Sequence, residues 1–154
     1  MNTSKKKISV MSLVLVVLGV FFGVNLTSNQ QNADTTQSTQ AVEDDLARIE
    51  RAFQQKQGDL QVKSKGTVIA LLRDDNEGSR HQKFLLELAN GQTVLVAHNI
   101  DLSPRIENLK KGDVVEFYGE YEYSEKGGVI HWTHHDPSRK HVDGWLKHHG
   151  KIFQ

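Results

Sequence analysis

The chain reads as a mainly β domain, a five-stranded barrel placed after an amphipathic helix and an apolar N-terminal segment. Three observations predict it. From Gly66 onward the apolar residues alternate in short runs, as in Phe84, Leu86 and Leu88, the period of half-buried strands. Asn90-Gly91 sits between two such runs and is the strongest short hairpin signal. Gly127-Gly128 marks a second turn late in the chain, ahead of a further apolar run.

Taken in order, Lys5, Lys6 and Lys7 precede an uncharged apolar run from Ile8 to Leu26, long enough to cross a membrane as a helix. Residues 1–26 are therefore expected to be a membrane anchor or signal segment. The preceding lysines place the N-terminus in the cytoplasm and the rest of the chain outside. A cleaved signal peptide would have a shorter apolar core followed by a small-residue site. Gly23-Val24-Asn25-Leu26-Thr27-Ser28 offers no such site, so an uncleaved anchor is the preferred reading.

Residues 27–41 are almost entirely small and polar and predict a flexible linker. Over 42–57, Val42, Leu46, Ile49 and Phe53 recur at helical spacing, Glu43, Asp44 and Asp45 occupy the first turn, and Gly58 follows. This is the pattern of an amphipathic helix with a dipole-compatible start and a stop, expected to pack on the domain rather than to dimerise. Residues 58–154 make up the barrel with a C-terminal extension. Strands are expected at Thr67 to Arg73, Gln82 to Leu88, Thr93 to His98, Val114 to Tyr123 and Val129 to His134. Leu102 to Lys110, broken by Pro104, can hold at most a short helix or turn.

Three strands in a meander, a short connection and a hairpin resemble the OB-fold, a five-stranded Greek-key barrel. That resemblance implies that strands three and five are parallel neighbours. A smaller SH3-like barrel is the alternative. Either fold leaves function open.

Composition excludes several classes. With no cysteine the chain has no disulfide, thiolate metal site or cysteine nucleophile. Beyond residue 26 the 19 acidic residues face 16 of the 19 basic ones, a net −3 with histidines neutral. That balance argues against nucleic acid as a general partner, which needs a basic excess.

The chemistry is concentrated in histidine. Six of the eight histidines lie between His131 and His149, the others being His81 and His98. Laid out on the barrel diagram, Asp74, Asp75, Arg80, His81, His98, Asn99, His134, His135 and Asp136 collect at one pole. Strand alternation puts His131, Thr133 and His135 on one face and Trp132, His134 and Asp136 on the other, so the run needs remote partners to form a site. His81, His98 and one of His134 and His135 could hold a transition metal such as zinc, with Asp136 orienting a ring. His98, His135, Arg80 and Asp136 are the catalytic candidates, and His81, Asn99, His131, Trp132 and His134 the ligand-binding ones. His148 and His149, near the C-terminus, are expected to be solvated.

Trp132, Trp145, Tyr118, Tyr121 and Tyr123 are possible stacking platforms but more often packing. Arg105 and Arg139 read as surface residues, and Asp74 to Gly78 as a plain turn rather than a calcium loop.

The segments His81-Gln82-Lys83-Phe84, Ala97 to Leu102, Gly128 to Pro137 and His141 to Leu146 resemble a family of short exported bacterial proteins catalogued only as a domain of unknown function. The resemblance runs over roughly Gly58 to Gln154, with His131-Trp132-Thr133-His134-His135-Asp136-Pro137 as its most specific part, and implies no activity. Together these readings predict a protein of the bacterial inner membrane, single-pass through residues 8–26, with its domain in the periplasm, or secreted if residues 1–26 are removed. The expected function is a tethered domain whose histidine-rich pole binds a small ligand or polymer. The alternative is a metal- or histidine-dependent hydrolase acting on a phosphodiester or glycan, and a pH sensor is a third possibility.

Overall fold

The computed structural model describes residues 36–154; the expected anchor and most of the expected linker lie outside the described residues. Helix α1, Thr36–Gln55, is followed by strands β1 (Leu60–Leu71), β2 (His81–Leu88), β3 (Thr93–Asn99), β4 (Val114–Glu122), β5 (Val129–His131), β6 (Trp145–His148) and β7 (Lys151–Phe153). Among the described residues no helix is long and apolar enough to cross a membrane.

The helix begins at Thr36, inside the segment read as linker, and covers most of the expected amphipathic stretch. Ile49 and Ala52 are buried in the barrel core, with Leu46 and Phe53 packed beside them. Asp45 accepts a hydrogen bond from the Lys63 backbone N–H at 2.9 Å, and Arg48 donates to the Gln61 carbonyl at 3.1 Å. Apolar burial and polar pinning thus act along the same two elements, α1 and β1. The helix ends at Gln55, and Lys56 after it takes a left-handed φ of 54°, two residues before the expected glycine stop.

Strand β1 is longer than its apolar residues suggest. Its first part, Leu60 to Thr67, pairs with β4, and from Gly66 it pairs with β2. Lys63, Lys65 and Thr67 face solvent between the buried Val62, Ser64 and Val68, so the alternation continues through polar residues. Gly66 is the corner at which both partners meet. A Cβ there would lie 2.9 Å from the Glu87 carbonyl oxygen, closer than packed atoms tolerate.

These pairings close a barrel in the order β1-β2-β3-β5-β4-β1, with β3 and β5 parallel and the other pairs antiparallel. Phe84, Val96, Phe117, Tyr121 and Ile130 fill its interior. The connection from β3 to β4 consists of turns. The C-terminal extension is a hairpin: β6 pairs with the first half of β4, Val115 to Tyr118, and β7 pairs with β6.

Candidate functional site

Strand β5 stops at His131, and this early stop builds the site. Trp132 takes a left-handed φ of 50°, rare for a bulky side chain and typical of positions the surrounding fold dictates. The expected strict alternation through Asp136 therefore fails, and the break comes at Trp132. Thr133 turns inward and is fully buried, while His131, Trp132 and His134 come to share one hollow. Gly144 permits the chain to close over this bend, because a Cβ there would strike the Trp132 carbonyl.

The hollow has a volume of about 200 Å³ and lies on the outer side of β2, β3 and β5. Register explains who meets there. His81 pairs with Asn99 across β2 and β3, and the parallel β3–β5 ladder brings Ala97 beside His131. His81, Asn99, His131, Trp132 and His134 line the hollow, together with Ala97 and Leu102. Ala97 leaves room by being small. No acidic residue lines the hollow.

The remaining sequence candidates are held elsewhere. His98 is fully buried. Its Nε2–H donates to the Pro104 carbonyl at 3.2 Å, and its Nδ1 accepts from the Thr133 hydroxyl at 2.8 Å. Burial pushes its pKa down to about 4, the Pro104 bond opposing only in part, so the ring is neutral and both nitrogens are engaged. His135 is exposed and faces Asp143 at 3.0 Å. Arg80 is clasped by Asp101, which accepts from its Nε and its backbone N–H, both at 2.7 Å.

Asp136 is buried and organises the loop after it. Its carboxylate accepts from the Ser138 hydroxyl and from the backbone N–H groups of Ser138, Lys140 and His141. These donors, the Ser138 hydroxyl first, hold its pKa far below the usual carboxylate range. Among the described residues Asp136 forms no hydrogen bond to an imidazole, and it meets His141 through that residue's backbone N–H.

Beside the hollow lies a second arrangement. Glu120 on β4 faces two imidazoles: His131 Nε2 at 3.0 Å from Oε1, and His141 Nε2 at 2.6 Å from Oε2. His141 Nδ1 donates to the Val142 carbonyl at 2.8 Å. Both nitrogens of His141 thus meet oxygens that only accept, which selects the doubly protonated ring. Burial opposes that charge, but Glu120 and the Val142 carbonyl outweigh it and raise the pKa above the ordinary imidazole value. Trp132 stacks on the same ring, centroids 4.1 Å apart and planes 9° from parallel, as a cation–π contact favours. Neither Glu120 nor His141 was a sequence candidate. Only the β4–β5 register, Glu120 opposite His131, brings them together.

The expected metal set, His81 and His98 with one of His134 and His135, does not bring its ligand atoms together. Among the described residues, two groups have ligand atoms within 4.8 Å of one another: Glu120, Glu122 and His131, and Asp113, His148 and His149. Neither contains His81, His98, His134 or His135. The solvated ending expected for His148 is also corrected: His148 is buried against Asp113.

The aromatic candidates divide as packing would have it. Tyr121 is in the core, its hydroxyl on the Gly127 carbonyl, Tyr123 packs on Phe53, and Tyr118 pairs with Trp145. Trp132 alone reaches the hollow. Asp74 and Asp75 form ion pairs with Arg105 and Lys83.

The molecule is a small closed β-barrel with a histidine-lined hollow on its outer wall. It belongs to the DUF3465 family, described as a protein of unknown function, whose profile matches residues 32–154. No curated protein matches the chain.

Proposed function

We propose that this chain is a binding module: an OB-like barrel, exported and tethered to the bacterial inner membrane through residues 8–26, whose hollow takes a small acceptor-rich ligand. The strand order and the parallel β3–β5 pair support the OB-like assignment. The wall formed by strands two and three is where such barrels bind ligands. The observation that carries the reading is the meeting of His81, Asn99, His131, Trp132 and His134 in one hollow without an acid among its lining residues. A volume of about 200 Å³ falls below the usual range for drug-sized ligands, which starts near 300 Å³. It suits a carboxylate, a phosphate or a single ring, free or at the end of a polymer.

A hydrolase working through His98, His135, Arg80 and Asp136 finds no support in their surroundings, since His98 is held by Thr133 and Pro104, Arg80 by Asp101, His135 by Asp143 and the Asp136 carboxylate by the loop after it. Titration of the tag-free chain with inorganic phosphate, citrate and N-acetylglucosamine, followed by histidine-ring NMR, tests binding. At least one probe is expected to move the His81 and His134 resonances in wild type and to lose that effect in His81→Ala. Resonances indifferent to all three probes would sink the assignment.

A further inference from the structure

We propose that Asp113, His148 and His149 form a binding site for one divalent transition-metal ion, at the edge of β4 that pairs with β6, opposite the edge that pairs with β1, and separate from the hollow. Three elements build it. Asp113 immediately precedes β4, and its Oδ2 is fixed by the Lys110 backbone N–H at 3.1 Å. The β4–β6 register sets Val115 opposite His148, which brings the His148 ring to the carboxylate, Nε2 to Oδ2 2.9 Å. His149 follows at the turn of the β6–β7 hairpin.

Consecutive residues of a strand point to opposite faces, so two adjacent histidines do not ordinarily share a ligand. Here His149 takes a φ of 49° and Gly150 a φ of 80°. The left-handed turn returns the second ring to the side of the first. The rings stack with centroids 4.0 Å apart, and His149 Nε2 lies 3.8 Å from Asp113 Oδ1. Donors bound tetrahedrally at about 2.0–2.2 Å lie roughly 3.4 Å from one another. The carboxylate–imidazole distances of 2.9 and 3.8 Å straddle that spacing, and all three ligand atoms lie within 4.8 Å of one another, so rotation of the exposed His149 ring out of its stack would complete the ligand set.

Two imidazoles and one carboxylate favour zinc, cobalt, nickel or copper over the oxygen-seeking calcium and magnesium. Burial also suits binding. Asp113 and His148 are each less than a tenth exposed and hydrogen-bonded in place, whereas His149 is two-thirds exposed and free to close on an ion. A hollow of about 250 Å³ adjoins both rings, with Arg105, Asn108 and Lys151 among its lining residues. It leaves space for water or an anion at an open coordination position.

The test uses the full chain without a polyhistidine tag, titrated with Zn²⁺ by calorimetry and with Co²⁺ by visible absorption. One equivalent is expected, with cobalt bands of a four- or five-coordinate ion. His149→Ala, at an exposed position where loss of folding is not expected, should weaken Zn²⁺ binding by roughly tenfold or more, and Asp113→Asn should do likewise. His131→Ala, in the other cluster, should leave it unchanged. Absence of Zn²⁺ binding to wild type at micromolar concentration, or equal affinity in wild type and His149→Ala, would overturn the site. A loss caused by His131→Ala in place of His149→Ala would overturn it as well.

Discussion

His98 and His141 belong to the same end of the barrel, yet their surroundings drive them to opposite charge states. His98 points inward from β3 and meets a hydroxyl and a carbonyl. Both can satisfy a neutral ring, and the dry interior excludes the charged one. His141 lies on the outer side against the Glu120 carboxylate and the Trp132 ring, both of which reward a positive charge. Counting histidines therefore says little. What a ring faces decides whether it is packing or a charged group available for recognition, and a carboxylate or an open hollow marks the second kind.

The largest effect expected from this contrast is on acid stability. Unfolded, His98 takes up its proton near pH 6.5; folded, it does so only near pH 4. Between those values the unfolded chain binds more protons, so stability falls as pH drops through the window. The full shift corresponds to about 3 kcal/mol. Urea denaturation of wild type and His98→Gln across pH 4–7 should show a shallower acid slope in the variant, whose amide can still meet Thr133 and Pro104. Parallel slopes would mean that the interior of this end does not exclude charge, and the contrast would break.

His141 should give the opposite slope. Its folded pKa is raised, so its contribution is complete below about pH 6.5 and is lost as pH rises through the folded value. Glu120→Gln removes the carboxylate that holds the ring. The expected cost is about 1 kcal/mol near pH 6, shrinking toward zero in mildly alkaline solution, and the loop over Asp136 to Asp143 should exchange its amide protons faster. A cost independent of pH would show that Glu120 acts by packing alone.

The sequence made the barrel legible where alternation ran through apolar residues and glycine marked the turns. Phe84, Leu86 and Leu88 fall in β2, and Asn90-Gly91 falls in the turn between β2 and β3, as expected. Strand β1 was read too short because Lys63 and Lys65 supply the solvent half of its alternation and Ser64 part of the buried half. Topology groups strand ends, and His81, Asn99, His131, Trp132 and His134 do meet in one hollow; Ala97 and Leu102, which complete its lining, carry no such signal, and His98, His135, Arg80 and Asp136 stay outside it. Glu120 and His141 were not legible, because a cross-strand register and a loop folded around a buried Asp136 leave no local spacing to read. Asp113 and His148, 35 positions apart, are joined only by the pairing of the C-terminal hairpin with β4, which no local spacing announces.

The smallest effect bears on that hairpin, the second place where imidazoles face a carboxylate. A two-residue turn with positive φ at both positions is best served by Asn-Gly, yet the chain places His149 before Gly150. A histidine in the left-handed region is less favourable than an asparagine there, so the natural residue gives up stability at this point. His149→Asn should therefore stabilise the protein, by about 0.5 kcal/mol, measured as a higher urea midpoint with an unchanged slope. The same substitution removes one ring from Asp113. A variant that folds more tightly but no longer gathers two imidazoles on one carboxylate would show that this turn was shaped by what it holds rather than by the needs of the hairpin. If His149→Asn is instead destabilising, the His149 ring contributes to folding through its stack on His148, and the hairpin end belongs with His98 as packing.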